Sequence, residues 1–164
     1  PCPSVVKISA AKSTQAASGS YTPGQLLERN ATYGFYVTGD DSAIEVALLS
    51  RVSPSLILLQ LDLGAANAIC PTDYSLRARG DNTGNYPRNW ELQGSTDNAN
   101  WVTLRAHVND SSLNALGARA SWPVPNSKSS YRFLRLVLTG VDSSNAHYLL
   151  VSGFEVYGVC PNLP

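Results

Sequence analysis

Apolar and polar positions alternate with a period of two over much of this chain, most cleanly in Arg88-Asn89-Trp90-Glu91-Leu92-Gln93. Trp90 and Leu92 fall on one side there, and Asn89, Glu91 and Gln93 on the other. That is the pattern of a half-buried strand. Gly94 to Ala99 supplies Ser95, Asp97 and Asn98, whose short side chains bond nearby backbone in turns. Val102 and Leu104 then resume the alternation, so the stretch predicts a core hairpin. Tyr131 to Leu138 sets Leu134, Leu136 and Leu138 on one face, and Ser152 to Tyr157 sets Phe154 and Val156 inward. Leu56 to Leu59 does not alternate, as expected of a strand buried on both sides. Ala43 to Leu49 and the whole run Leu56 to Leu63 read as a hairpin across the Ser50 to Ser55 break; a buried helix is the alternative, against which the β-rich surroundings weigh. Val5 to Ser9 and Thr72 to Ala78 are further strands. Ala120 to Val124 is a short edge strand, because Pro123 has no N–H to give a ladder.

Between these runs lie loops. Ala10 to Gly24 is small and polar, and Gln25 to Arg29 is one candidate helical turn. Gly39-Asp40-Asp41 is a turn without calcium-loop spacing. Arg79 to Pro87 is dense in Gly, Asn and Asp, and Arg105 to Ala118 is a loop with room for one helical turn. Short strands at turn-punctuated intervals, with no repeat and no linker, predict an all-β antiparallel sandwich over 1–164 as a single domain. Its core is expected to hold Val6, Ile8, Leu59, Leu61, Leu76, Trp90, Leu92, Leu104, Leu134, Leu136, Phe154 and Val156.

Composition narrows the function. The chain has 164 residues, 43% apolar and 15% charged, which suits a globular domain with a real core. Lys+Arg and Asp+Glu are equal at 12 each. No basic field draws nucleic acid or an anionic membrane surface, and no apolar run reaches the length of a membrane span. Met is absent and the first residue is Pro1, which reads as a domain of a larger protein or a processed chain. The three cysteines show no CxxC or zinc spacing. There is no nucleophile elbow, no His-Glu-x-x-His and no phosphate loop, and the carboxylates are scattered. A binding role without an enzyme's chemistry and without a cofactor is expected.

Arg88-Asn89-Trp90-Glu91-Leu92-Gln93-Gly94-Ser95 followed by Trp101-Val102-Thr103-Leu104 resembles the discoidin-like (galactose-binding-like) jelly roll. The flavour resembled is that of certain HECT-type ubiquitin ligases and BTB-containing scaffold proteins; the DOC subunit of the anaphase-promoting complex is a more distant relative. Tyr131-Arg132-Phe133-Leu134-Arg135-Leu136, the run His147 to Gly158, and Leu61-Asp62-Leu63-Gly64 add to the likeness, which covers about Asp73 to Gly158. In the first half, the turn Leu26-Leu27-Glu28 is not followed by the Trp that the family often has. The resemblance implies ligand-binding loops at one end of the sandwich, in either a protein-interaction module or a carbohydrate-binding module. It also leaves two readings of Cys2 and Cys160 open: a staple between the termini, as in extracellular members, or free thiols in an intracellular protein, with Cys70 a small buried hydrophobe.

Strand reversals collect five segments at the end far from the termini: about Ser18 to Tyr21, Thr32 to Tyr36, Arg79 to Arg88, His107 to Asp110, and Asp142 to Tyr148. Polar loops on a rigid scaffold suit recognition. Arg77, Arg79 and Arg88 are candidates for forked contacts to carboxylates. Tyr21, Tyr33, Tyr36 and Tyr86 offer flat faces for a peptide or a sugar ring, unless they pack as lids on the core. Asp81, Asn82, Asp110, Asn145 and His147 complete the candidate ligand-binding set. His107 and His147 read as hydrogen-bonded loop anchors rather than as metal ligands. Arg79-Gly80-Asp81 spells an integrin-type tripeptide but reads as a turn, and Asn30-Ala31-Thr32 and Asn109-Asp110-Ser111 fit the glycosylation sequon, which matters only in a secreted chain.

Overall fold

The computed structural model describes residues 58–159 except 66, 81, 82 and 126. The strands expected at Val5 to Ser9 and Ala43 to Leu49, the core positions Val6 and Ile8, the sequon at Asn30, and Cys2 and Cys160 lie outside the described residues.

The described residues form seven antiparallel strands: β1 (Leu58–Asp62), β2 (Cys70–Ala78), β3 (Trp90–Ser95), β4 (Val102–His107), β5 (Arg119–Pro123), β6 (Phe133–Leu138) and β7 (Val151–Val159). One sheet runs β1-β6-β3-β4 and the other β5-β2-β7. The two inner faces meet in one apolar core, where Leu59, Leu61, Leu92, Leu134 and Leu136 oppose Tyr74, Leu76, Phe154 and Val156. This is the expected jelly-roll sandwich. The residue directly opposite Trp90 on β6 is Leu138, and on β4 it is His107. Trp90 and Leu92 are both fully buried, while Glu91 and Gln93 are half-buried on the outer face.

Three details depart from the reading of the sequence. β2 begins at Cys70 and β7 runs on to Val159, so their ladder is longer than the alternation alone defines. Gly158 allows it: a Cβ there would stand 2.1 Å from the Cys70 carbonyl oxygen, so only glycine admits the approach. Leu104 is half-buried rather than central, because β4 shifts register against β3 between Leu92 and Gln93. The segment between β4 and β5 contains turns but no helix.

β1 fits the run without alternation. Leu59 and Gln60 point to opposite faces and are 2% and 1% exposed. Buried Gln60 is satisfied by donating to the Asn98 side chain at 2.8 Å, and Asn98 itself sits at φ 62° in the β3–β4 turn. In that turn the Asp97 carboxylate accepts from the backbone N–H and side chain of Asn100, the Ala99 N–H and the Ser95 hydroxyl, which together hold it well below the usual carboxylate range. β5 is an edge strand and ends at Pro123, as a prolyl residue demands.

Candidate functional site

Three loops meet at one end of the sandwich, joining β2 to β3 (79–89), β4 to β5 (108–118) and β6 to β7 (139–150). Backbone hydrogen bonds tie them together. The Asp110 N–H donates to the Arg88 carbonyl, Gly117 to Arg79, Thr139 to Asn89 and Ser143 to Tyr86. Asn89 is the centre of the knot: its amide donates to the Val141 carbonyl at 2.7 Å and its side-chain oxygen accepts from the Asn109 N–H at 2.9 Å. The three described segments that strand reversals assigned to the far end do converge there.

The 139–150 loop turns on Asp142. One carboxylate oxygen accepts from the Ser144 and Ala146 N–H groups, and the other accepts from Asn85 at 2.9 Å. Asn85 and Asn145 both adopt positive φ, 53° and 59°, a conformation their short polar side chains tolerate. Gly84, at φ 90°, comes so close to Ser144 that a Cβ there would stand 2.9 Å from its hydroxyl.

The 108–118 loop is anchored from below. His107, 5% exposed, places its Nδ1 2.6 Å from Asp110 Oδ2 and its Nε2 against the Tyr74 hydroxyl. The Trp90 indole N–H donates to that same hydroxyl at 3.0 Å. Only one assignment satisfies every atom: Nδ1–H donates to Asp110, Nε2 accepts from Tyr74, and the Tyr74 oxygen accepts from Trp90. The imidazole stacks on Trp90, with centroids 4.1 Å apart and planes 9° apart, and Trp122 meets it edge-on. Burial pulls the imidazole below its ordinary value against the opposing pull of Asp110, so the ring is neutral. Burial likewise raises the Tyr74 phenol, with the Trp90 hydrogen bond opposing. Asp110 also feels burial, which would raise it, but the Ser112 and His107 hydrogen bonds outweigh that and hold it below its usual range. Asp, His and Tyr in series resemble a proton relay, yet Tyr74 is fully buried, so the series is a structural anchor. His107 is the hydrogen-bonded anchor expected from sequence, but its partners Tyr74 and Trp90 were not read there.

The remaining predicted site residues divide. Tyr86 and Arg79 are 8% and 5% exposed and belong to the buried base of the loops, not to their outer surface. Tyr86 is pulled inward because its N–H donates to Ser143 and its carbonyl accepts from the Ser143 N–H. The burial of Arg79 also removes the first side chain of the Arg79-Gly80-Asp81 tripeptide from the surface. Arg77 is half-buried on β2, close to Gly117 and directly across the ladder from Arg119. Arg88 is half-buried and reaches across to Asn114 at 2.7 Å. Asp110 is committed to His107. Asn145 and His147 are exposed. Tyr21, Tyr33, Tyr36, Asp81 and Asn82 lie outside the described residues.

The loop tips hold what the sequence reading passed over. Val108, Leu116 and Tyr148 are 78%, 50% and 52% exposed. Apolar residues inside otherwise polar loops were the available signal. Among the described residues no group of three or more His, Cys, Asp or Glu side chains is placed to hold a metal, and no helix is long and apolar enough to cross a membrane. Cys70 is a half-buried free thiol whose S–H donates to the Ser127 carbonyl.

No protein-family model matches the chain. It is 45% identical over 103 residues to the E3 ubiquitin-protein ligase Ufd4 of Drosophila melanogaster, and 40% identical over 100 residues to the E3 ubiquitin-protein ligase hecd-1 of Caenorhabditis elegans. Each match takes in 60% of this chain and 4% of the ligase. A BTB/POZ domain-containing protein of Arabidopsis thaliana is 35% identical over 102 residues, 60% of this chain and 12% of that protein. Among solved structures, CBM62 from Clostridium thermocellum Xyl5A aligns with TM-score 0.51 at 21% identity, over 66% of this chain and 72% of that one. The C-terminal domain of a chitobiase from Bacteroides fragilis aligns with TM-score 0.53 at 17% identity, over 96% and 94%. The described residues thus have the antiparallel jelly-roll fold that these solved structures share, and the chain is similar in sequence to short segments of ubiquitin ligases and of a BTB/POZ protein.

Proposed function

We propose that the chain is a non-catalytic protein-interaction module of a larger ubiquitin ligase or scaffold, and that it recruits a protein partner through the tips of its far-end loops. One observation carries the choice of partner. Both described carboxylates of these loops are committed inward, Asp110 to His107 and Asp142 to its own loop and Asn85. Sugar recognition calls for carboxylates free to accept hydroxyl hydrogen bonds beside an exposed ring. Here the tips instead offer Val108, Leu116 and Tyr148 among exposed amides and hydroxyls, a mixture of apolar anchors and adaptable polar contacts that suits a protein surface. The identities to ligase segments support the same setting.

The carbohydrate reading has its own support in the fold shared with CBM62 and in the exposed Tyr148 ring. The two separate by crosslinking. A photoreactive residue is placed at Leu116 or at Tyr148, with exposed Ser121 on β5 as the control site, in the full-length parent protein in cells. A discrete protein adduct at the two tips and not at Ser121 is the expected result. Binding to arrayed glycans that free sugar competes away, with no tip-specific protein adduct, overturns the protein reading in favour of the sugar one.

A further inference from the structure

Basic and acidic residues are equal in number, but the charges of the described residues are not evenly spread over the sandwich. At the far end Arg77, Arg79, Arg88 and Arg119 all border the 108–118 loop. The Arg79 carbonyl accepts from the Gly117 N–H, the Arg88 carbonyl accepts from the Asp110 N–H, and Arg119 follows the loop directly as the first residue of β5. The carboxylates described at this end, Asp110 and Asp142, are both spent on hydrogen bonds within the loops. Asp62 and Asp97 belong to the opposite end, where Asp62 is held by Arg132.

Two of these guanidiniums bracket an apolar tip. Arg88 donates from Nη2 to Asn114 Oδ1 at 2.7 Å. Arg77 lies against Gly117, where an added Cβ would stand 3.3 Å from its Nη2. Leu116, 50% exposed, lies in the chain between those two points, which are three residues apart, at most about 10 Å of backbone. Both Arg77 and Arg88 carry a buried Nε that meets no hydrogen-bond acceptor, so neither has used its full donor capacity inside the domain. Arg105 carries a third such Nε, but its Nη1 donates to the Pro123 carbonyl, away from the tips. Arg119 stands directly across the ladder from Arg77. Burial, and then that like charge, pull the Arg77 guanidinium below its ordinary value. Like charges opposite one another on neighbouring strands are a cost that a bound anion relieves.

We propose that the partner segment held at this tip is acidic: an apolar residue that packs on Leu116, with an Asp or Glu on each side of it, one answering Arg88 and the other Arg77 and Arg119. Guanidiniums suit this task because their planar fork matches a carboxylate at two points. The two cationic positions are set apart on either side of an apolar side chain. That spacing fits two single carboxylates along a peptide better than one compact dianion. The inference rests on the proposed protein-binding role of the tips and names the chemistry of the partner there.

The full-length parent protein is offered arrays of short peptides with Leu or Phe fixed at the centre, Glu, Gln or Lys set on both sides of it, and the outer positions varied. Glu peptides should be retained about tenfold more than Gln peptides, as two half-exposed ion pairs together supply, and the excess should shrink as salt is raised. Arg88→Glu should lower that preference. Arg119→Glu, at an exposed position, puts a carboxylate beside Arg77 and should lower it too, so a folding defect at Arg88 does not decide the result. A Glu preference that both charge reversals leave unchanged belongs elsewhere and overturns the inference. Equal retention of Glu and Gln peptides, or retention of none, with the Leu116 crosslink to protein intact, overturns it and leaves the protein-interaction reading standing. Tips that crosslink to RNA, or to nothing, overturn both.

Discussion

Tyr74→Phe removes one oxygen atom from the core and strands two buried partners. The Trp90 indole N–H loses its acceptor and His107 Nε2 loses its donor. Trp90 is fully buried and His107 is 5% exposed, so water does not readily replace the hydroxyl. The imidazole cannot escape by changing tautomer, because Nδ1–H is required by Asp110. An unsatisfied buried polar group costs about 1–3 kcal/mol, which for two such groups gives a loss of about 3 kcal/mol. With a urea m-value of about 1.5 kcal/mol per molar, the unfolding midpoint falls by about 2 M. The assay is equilibrium urea unfolding followed by Trp fluorescence and far-UV dichroism. Tyr86→Phe is the matched control: it also removes a phenol hydroxyl from a buried ring, but leaves the bonds among Trp90, Tyr74 and His107 in place. A Tyr74→Phe midpoint no lower than that of Tyr86→Phe refutes the anchoring role of the Tyr74 hydroxyl.

Other perturbations test separate parts of the frame. Burial holds the His107 imidazole below its free value of 6.5, so the unfolded chain binds the proton first. His107 therefore contributes its stability in full above about pH 6.5, loses it as pH falls through that value, and loses no more once the folded ring is protonated. An NMR titration in which the folded ring protonates at or above pH 6.5 contradicts this. Gly158→Ala drives a Cβ against the Cys70 carbonyl and the Pro71 backbone, and thermal unfolding should register a loss of about 1–3 kcal/mol; an unshifted transition would deny the close approach. Asp142→Ala frees the Ser144 and Ala146 amides, so their hydrogen exchange should speed up while β6 and β7 keep their protection. Equal exchange in the variant means the carboxylate does not hold the loop.

Most of the frame was legible because a period of two and turn chemistry are local properties. Trp90, Leu92, Leu134 and Phe154 declare their burial within their own strands. The partnership of Tyr74 with His107 does not, because it spans 33 residues and depends on which side-chain atoms meet. At its position on β2, Tyr74 reads only as a slot on the inner face. Tyr86, in a loop dense in Gly, Asn and Asp, reads from sequence either as a flat face for a ligand or as a lid on the core. What buries it is the bonding to Ser143 on another loop, which no local pattern carries. The tips were harder still: Leu113 is fully buried and Leu116, three residues on, is half-exposed, with no periodicity between them to separate anchor from tip.

The inward commitment of the far-end polar groups has a consequence for how binding and folding separate. From Trp90 the bonds run through Tyr74 and His107 to Asp110, whose own N–H donates to the Arg88 carbonyl in the neighbouring loop. The shape of the loops is thus set by the core, and their tips have little part in holding it. Leu116→Ser and Tyr148→Ser alter side chains about half in solvent, where substitutions stay within about 0.5 kcal/mol of folding stability. At an interface the same aromatic or aliphatic anchor is worth about 2 kcal/mol, a loss of roughly 30-fold in affinity. The tip variants should therefore lose their crosslinked partner at full stability, and Tyr74→Phe should lose both together. Tip variants that unfold as readily as Tyr74→Phe would show that the tips hold the loops, and the division between core and tip would fall.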